Sequence, residues 1–88
     1  MEYKITHIPY KNRFETTIDG LTAFVQYTIA DKELDIIHTI VPRPLEGQGI
    51  AAALVKETYD YAKRHGLTPV GTCSYAAAWL KKHPEYNE

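Results

Sequence analysis

At 88 residues and 10.0 kDa the chain has room for one core, so residues 1–88 are expected to form a single domain. Hydrophobic residues at 44% and charged residues at 24% exclude widespread disorder, and a formal net charge of -1 with no run of more than two basic neighbours argues against nucleic acid as a partner. One cysteine, Cys73, excludes an internal disulfide, no apolar run approaches the roughly 18 residues of a membrane span, and Met1-Glu2-Tyr3-Lys4 does not resemble a signal peptide. A cytoplasmic monomer with no membrane partner is the expectation.

In chain order, Tyr3, Ile5 and Ile8 with polar residues between them predict a first strand, an edge, closed by Pro9 and the Lys11-Asn12 turn. Phe14, Thr16 and Ile18 alternate with Arg13, Glu15 and Thr17, and Asp19-Gly20 follows, a dipeptide whose two residues tolerate the positive φ of a hairpin turn. The returning arm, Leu21 to Ala30, sets Leu21, Ala23, Val25, Tyr27 and Ile29 on one face, and Asp31-Lys32 turns the chain into Leu34 to Val41. Counting alternate residues puts Leu34, Ile36, His38 and Ile40 on one face of that strand and Asp35, Ile37, Thr39 and Val41 on the other. His38 is open to two readings, a core or half-buried histidine or a site residue that moves protons near neutral pH.

The strand ends in Val41-Pro42-Arg43-Pro44-Leu45-Glu46-Gly47-Gln48-Gly49-Ile50-Ala51, where two prolines and two glycines lead into helical spacing. Without a Cβ, Gly47 and Gly49 allow positive φ and close approach to a ligand, and the first amides of a helix have no partner inside it. Such a loop suits a phosphate; it equally suits a tight strand-to-helix connection. The helix, about Gln48 to His65, carries Ile50, Ala51, Leu54, Val55, Thr58 and Ala62 on one stripe, spaces Asp60 and Arg64 to pair, and ends at Gly66. Leu67 to Cys73 reads as a short strand, parallel to Leu34–Val41 through a right-handed crossover, with Pro69 at its start or with its missing donor turned away from a ladder. Ser74 caps a last helix, Tyr75 to about Lys82, whose inner side is Ala76, Trp79 and Leu80; Ala76-Ala77-Ala78 leaves room for close approach of a neighbouring backbone or a ligand. The class is α+β.

Glu46-Gly47-Gln48-Gly49-Ile50-Ala51 resembles the acyl-CoA pyrophosphate loop of the GNAT superfamily of N-acetyltransferases, Gln/Arg-x-x-Gly-x-Gly/Ala, in which Gly49 and Ala51 match. Nearly the whole chain is similar to the minimal GNAT-like family of short acetyltransferases with a cysteine at the acetyl site. The resemblance rests on the Asp19-Gly20 hairpin, His38-Thr39-x-Val41-Pro42, the glycine loop, Cys73-x-Tyr75 and His83-Pro84-Glu85-Tyr86. It implies a mixed sheet that splays near the loop, acetyl-CoA as cosubstrate, and a pantetheine arm lying between two parallel strands with its acetyl group near Cys73 and His38. The CoA-binding set it implies is Val41, Arg43, Glu46, Gly47, Gln48, Gly49, Ile50, Ala51 and Cys73. Glu46 stands where the superfamily has Gln or Arg: either the amides carry the diphosphate and Glu46 faces water, or CoA binding is weakened and Arg43 compensates. The superfamily helices that usually precede the hairpin are missing from the pattern, which leaves the acceptor site open.

The reaction so implied moves an acetyl group from acetyl-CoA to an amine, small-molecule or protein. It needs a base for the amine, donors for the oxyanion and a proton for the leaving thiolate. His38 is the best candidate general base and Tyr75 the candidate acid. Cys73 either shapes the pocket or, with a helix beginning beside it, becomes a thiolate that carries the acetyl group. Direct transfer is the expectation. The rival classes are a non-catalytic CoA-binding module, a protein-interaction domain and a phosphate-binding structural protein. No spacing of His, Cys and carboxylates suggests a metal.

Overall fold

The computed structural model describes residues 3–87. Five strands form one sheet in the order in which they occur: β1 (Thr6–Ile8), β2 (Arg13–Ile18), β3 (Leu21–Ala30), β4 (Glu33–Ile40) and β5 (Thr68–Gly71). The first four run antiparallel to their neighbours and β5 runs parallel to β4. Between β4 and β5 lies α1 (Ile50–Arg64), and α2 (Ser74–Lys82) follows β5. This is the mixed α+β sheet with a strand-loop-helix-strand crossover that the sequence predicts.

Turn chemistry explains the hairpins. Asp19 and Gly20 both take positive φ, 53° and 78°, the pair of left-handed residues that matches the twist of the flanking strands. Asp31 and Lys32, at 52° and 65°, do the same between β3 and β4 without a glycine. β1 is shorter than the sequence pattern suggests: Tyr3 and Ile5 pack against the core ahead of it, and the inward residue of the strand is His7, paired with Phe14. Pro69 sits on an edge strand, where its lack of a donor is tolerated.

Burial on the sheet is one-sided. Phe14, Thr16, Ala23, Val25, Tyr27, Leu34 and Ile36 are buried beneath α1, which contributes Ile50, Leu54, Val55, Thr58, Tyr59 and Ala62, and beneath Ala76, Trp79 and Leu80 of α2. Tyr59 was absent from the expected stripe; its ring lies 5.9 Å from that of Trp79 and so joins the two helices. α1 stops in a Schellman arrangement: Gly66 has φ 70°, and the Leu67 N–H donates to the Ala62 carbonyl at 2.8 Å. Asp60 does not take Arg64 as its hydrogen-bonded partner. It accepts from Lys56, one turn earlier, at 2.9 Å and from the Tyr86 hydroxyl at 2.6 Å.

The opposite face carries polar side chains. The Arg13 guanidinium lies over the Phe24 ring at 4.0 Å and donates twice to Gln26 at 3.2 Å, while the Thr17 and Thr22 hydroxyls meet at 2.9 Å. Among the described residues both α-helices lie on the other side.

One departure from alternation reorganises β4. Gln26 pairs with His38 but its neighbour Tyr27 pairs with Ile36, so Ile37 is an extra residue, a β-bulge. Beyond it the faces exchange. Thr39, opposite the buried Val25, joins the helix-covered face, whereas His38 and Ile40, opposite Gln26 and Phe24, stand exposed on the open face. The expected grouping of His38 and Ile40 with Leu34 and Ile36 is corrected on that account.

Candidate active site

Between the end of β4 and the start of α1 the chain passes through a 3-10 turn (Arg43–Leu45) that Pro42 enters and Pro44 stiffens. Leu45 is buried and anchors the turn, while Glu46, Gly47, Gln48 and Gly49 lie exposed above it. Gly47 and Gly49 take φ of 82° and 80°, and a Cβ added to either would meet nothing within 4 Å. Their glycine is therefore required by backbone conformation, and the space beside them is free.

Gly49 is the N-cap of α1 and provides no side chain to it; the first turn contains no acidic residue. The Ala53 N–H is bonded to the Gly49 carbonyl at 3.1 Å, which leaves the preceding amides of Ile50, Ala51 and Ala52 ahead of the first helical bond. Their dipoles add to the positive end of the helix, an arrangement that attracts anions.

A cavity of about 250 Å³ opens here, lined by Val41, Leu45, Glu46, Gly47, Gly49, Ile50, Ala51 and Tyr75. The strand end, the glycine loop and the start of α2 thus meet around one space. Of the sequence candidates, Arg43, Gln48, Cys73 and His38 do not line it, and Arg43, Gln48 and His38 are exposed. Leu45 was missed, because a buried leucine between proline and glycine carries no chemical signal. A larger hollow, about 390 Å³, lies by Lys63, Gly66 and Tyr86 at the far end of α1. It contains neither the glycine loop nor a free helix N-terminus, so the smaller cavity is the better candidate.

Cys73, two positions before the cavity-lining Tyr75, is the N-cap of α2, a position expected for Ser74, which is the first helical residue instead. Its thiol donates to the Thr39 hydroxyl at 3.5 Å. Burial pushes the thiol up, but the Ala76 amide, the Thr39 hydroxyl and the Tyr75 amide outweigh it and hold the pKa below the ordinary value. The face exchange at the bulge is what brings Thr39 to the sulfur. His38, by the same exchange, is exposed on the open face and is not grouped with Cys73 on the helix side.

The two parallel strands part at this level. Their register ends at Ile36 opposite Gly71, and the Cys73 N–H still reaches the Ile36 carbonyl at 3.0 Å; β4 then runs towards Val41 while the other chain enters α2. Asp35 holds the parting point through two bonds, from the Thr72 N–H at 2.8 Å and the Thr72 hydroxyl at 2.6 Å. Neither residue stood out in the sequence, since a bond spanning 37 positions leaves no local pattern. Below them the Tyr59 hydroxyl donates to the Val70 carbonyl at 2.6 Å; burial and the neighbouring Asp35 and Cys73 charges raise its pKa far above the phenol range, so it remains a neutral donor. Among the described residues no group of three His, Cys, Asp or Glu side chains is placed to hold a metal ion, and no helix is long and apolar enough to cross a membrane.

A strand fork and a glycine loop at a helix N-terminus are thus both present, and comparisons with known proteins say which fold they belong to. The family model described as GCN5-related N-acetyl-transferase matches residues 13–88, and the chain belongs to that family. Its structure is similar to the NMR solution structure of a GCN5-like protein from Staphylococcus aureus, itself described as a candidate N-acetyltransferase, with a TM-score of 0.74 and 31% identity over 94% of this chain and 82% of the other.

Proposed function

We propose that this chain transfers an acetyl group from acetyl-CoA to the nitrogen of an amine, small-molecule or protein-borne. The observation that carries the reading is the joining of the α1 N-terminus, which has no side-chain cap, its two positive-φ glycines, the segment leaving β4 at Val41 and the start of α2 at Tyr75 around one cavity. In it the amides from Gly47 to Ala51 take the diphosphate, with Gln48 and Arg43 at the rim, and Glu46 keeps its carboxylate in water. The pantetheine arm runs past Val41 into the fork and brings the thioester to Cys73 and Tyr75.

The amine enters from the open face of the sheet, where His38 is exposed and takes its proton as the nitrogen attacks the thioester carbonyl. Backbone amides at the fork receive the oxyanion. When the C–S bond breaks, Tyr75 gives its proton to the CoA sulfur and recovers one from solvent.

Two measurements test this. Acetyl-CoA is expected to raise the melting temperature by binding the folded state preferentially, and a free thiol should be released when a polyamine or a lysine peptide is added. No thermal shift up to millimolar acetyl-CoA overturns the reading. A shift without amine-dependent thiol release selects instead a CoA-binding module without turnover.

A further inference from the structure

We propose that Asp35 is a positioning residue for Cys73: by clasping Thr72 it fixes the distance between β4 and the N-terminus of α2, and so the environment of the thiol. Its kinetic consequence rests on the acetyl-transfer reading above, but its effect on the thiol stands without it. Asp35 is half-buried on the open face, in register with Val70, and its carboxylate accepts from both the N–H and the hydroxyl of Thr72. A side chain here takes over the acceptor work of the β4 backbone. Thr72 is exposed, and the charged acceptor, bonded to two donors of that one residue, holds it to β4 where the strands diverge.

The next residue is Cys73, whose own N–H is the last to bond to β4, at Ile36. Immediately after Ile36 comes the bulge, where β4 changes face. Cys73 is therefore held at a point where regular pairing fails on both strands, and the Asp35 clasp is the neighbouring anchor. The groups around the thiol come from two elements. The amides of Tyr75 and Ala76 belong to the same helix and move with Cys73, but Thr39 belongs to β4. The 3.5 Å approach of sulfur to Thr39 survives only if α2 is kept in place against β4. Asp35 touches neither the thiol nor the cavity lining, so it acts through Thr72.

The test is the pH dependence of Cys73 alkylation by iodoacetamide in the intact chain, with circular dichroism to confirm folding. Tyr59, the titratable group that faces the thiol from α1, stays neutral, and loss of the Asp35 anion would alone move the midpoint down. Against that, Asp35→Ala is expected to move the midpoint up towards the ordinary thiol value of about 8.5, because the Thr39 contact is lost, and to slow alkylation at about pH 7 several-fold. Thr39→Val should produce a similar rise, and the double variant should add little to either, because both remove the same contact. Thr72→Ser, which keeps both donors, should retain the wild-type midpoint. In the acetyl-transfer assay Asp35→Ala should lower kcat about tenfold while the KM for acetyl-CoA changes no more than about twofold. A folded Asp35→Ala with the wild-type midpoint overturns the proposal. Should that variant fail to fold, Thr72→Val, which removes only the hydroxyl bond, decides: an unchanged midpoint overturns it. Absence of turnover in the wild type would instead defeat the acetyl-transfer reading and leave the alkylation result to stand alone.

Discussion

Replacing Cys73 by alanine separates two chemistries that the same geometry allows. In direct transfer the thiol only shapes the fork, and Cys73→Ala should lose about tenfold in rate, equal to about 1.4 kcal/mol of barrier, through misplacement of the thioester. In a relay the depressed pKa of the thiol supplies a nucleophile, and the loss is several orders larger. Intact-mass measurement after acetyl-CoA without acceptor decides between them: a relay leaves one acetyl group on the protein, discharged by amine and missing from the alanine variant. Glu46 is exposed at the cavity rim, so Glu46→Arg should tighten CoA binding by placing a cation beside the diphosphate; weaker binding would give the carboxylate a positive role. Thr16 tests the core. Its buried hydroxyl has no hydrogen-bond partner, and Thr16→Val, of the same shape, should raise unfolding free energy by about 1 kcal/mol, read from the urea midpoint at unchanged slope. A loss of stability would mean that the hydroxyl is satisfied in solution.

At the scale of elements, the glycine loop and α1 were legible because their signals are local: two prolines, two glycines and an apolar stripe define them without reference to the rest of the chain. The site's second half was not. His38 and Thr39 exchange faces at a single extra residue, Ile37, and alternation counted through Leu34 to Val41 cannot register a bulge that only pairing with Gln26 and Tyr27 defines. The cap of α2 was misread by one position, since serine is the commoner N-cap and nothing local marks Cys73 as the residue held to Ile36. The docking of α2 rests on a missing side chain. A Cβ on Gly71 would come within 2.7 Å of the Ala77 backbone nitrogen, a clash that no rotamer relieves. Gly71→Ala should therefore cost about 1–3 kcal/mol and displace Cys73 with α2, seen as a lowered melting temperature together with an altered alkylation profile. Gly49→Val has a different cause: space is open there, but φ of 80° is hostile to a β-branched residue. It should abolish the acetyl-CoA thermal shift by rearranging the amides, and retention of the full shift would remove those amides from the binding site.

For the molecule as a whole, the topology followed from short connections and the right-handed crossover, whereas the fastening of the first strand across the sheet did not, because it depends on aromatic rings distant in sequence. His7 stacks on Phe14 with centroids 4.0 Å apart, meets the edge of Tyr61 at 4.5 Å, and places Nε2 2.6 Å from the Tyr27 hydroxyl. Tyr61 in turn lies 4.2 Å from the ring of His65, so β1, β2, β3 and the C-terminal turn of α1 converge on one imidazole. Burial, followed by the charge of His65, lowers the His7 pKa from 6.5 in the folded chain. The unfolded chain then binds the proton more readily, and the contribution of His7 to stability is complete above about pH 6.5 and declines as the pH falls towards the lowered folded value, below which it changes no further. The melting temperature should accordingly fall between about pH 7.5 and about pH 5, with the fall beginning in the histidine range. His7→Phe keeps a ring in the stack and removes the titration, so its melting temperature should fall less over the same interval, even if it starts lower for want of the Tyr27 hydrogen bond. Parallel curves for the two proteins would show that protonation of His7 does not couple to folding.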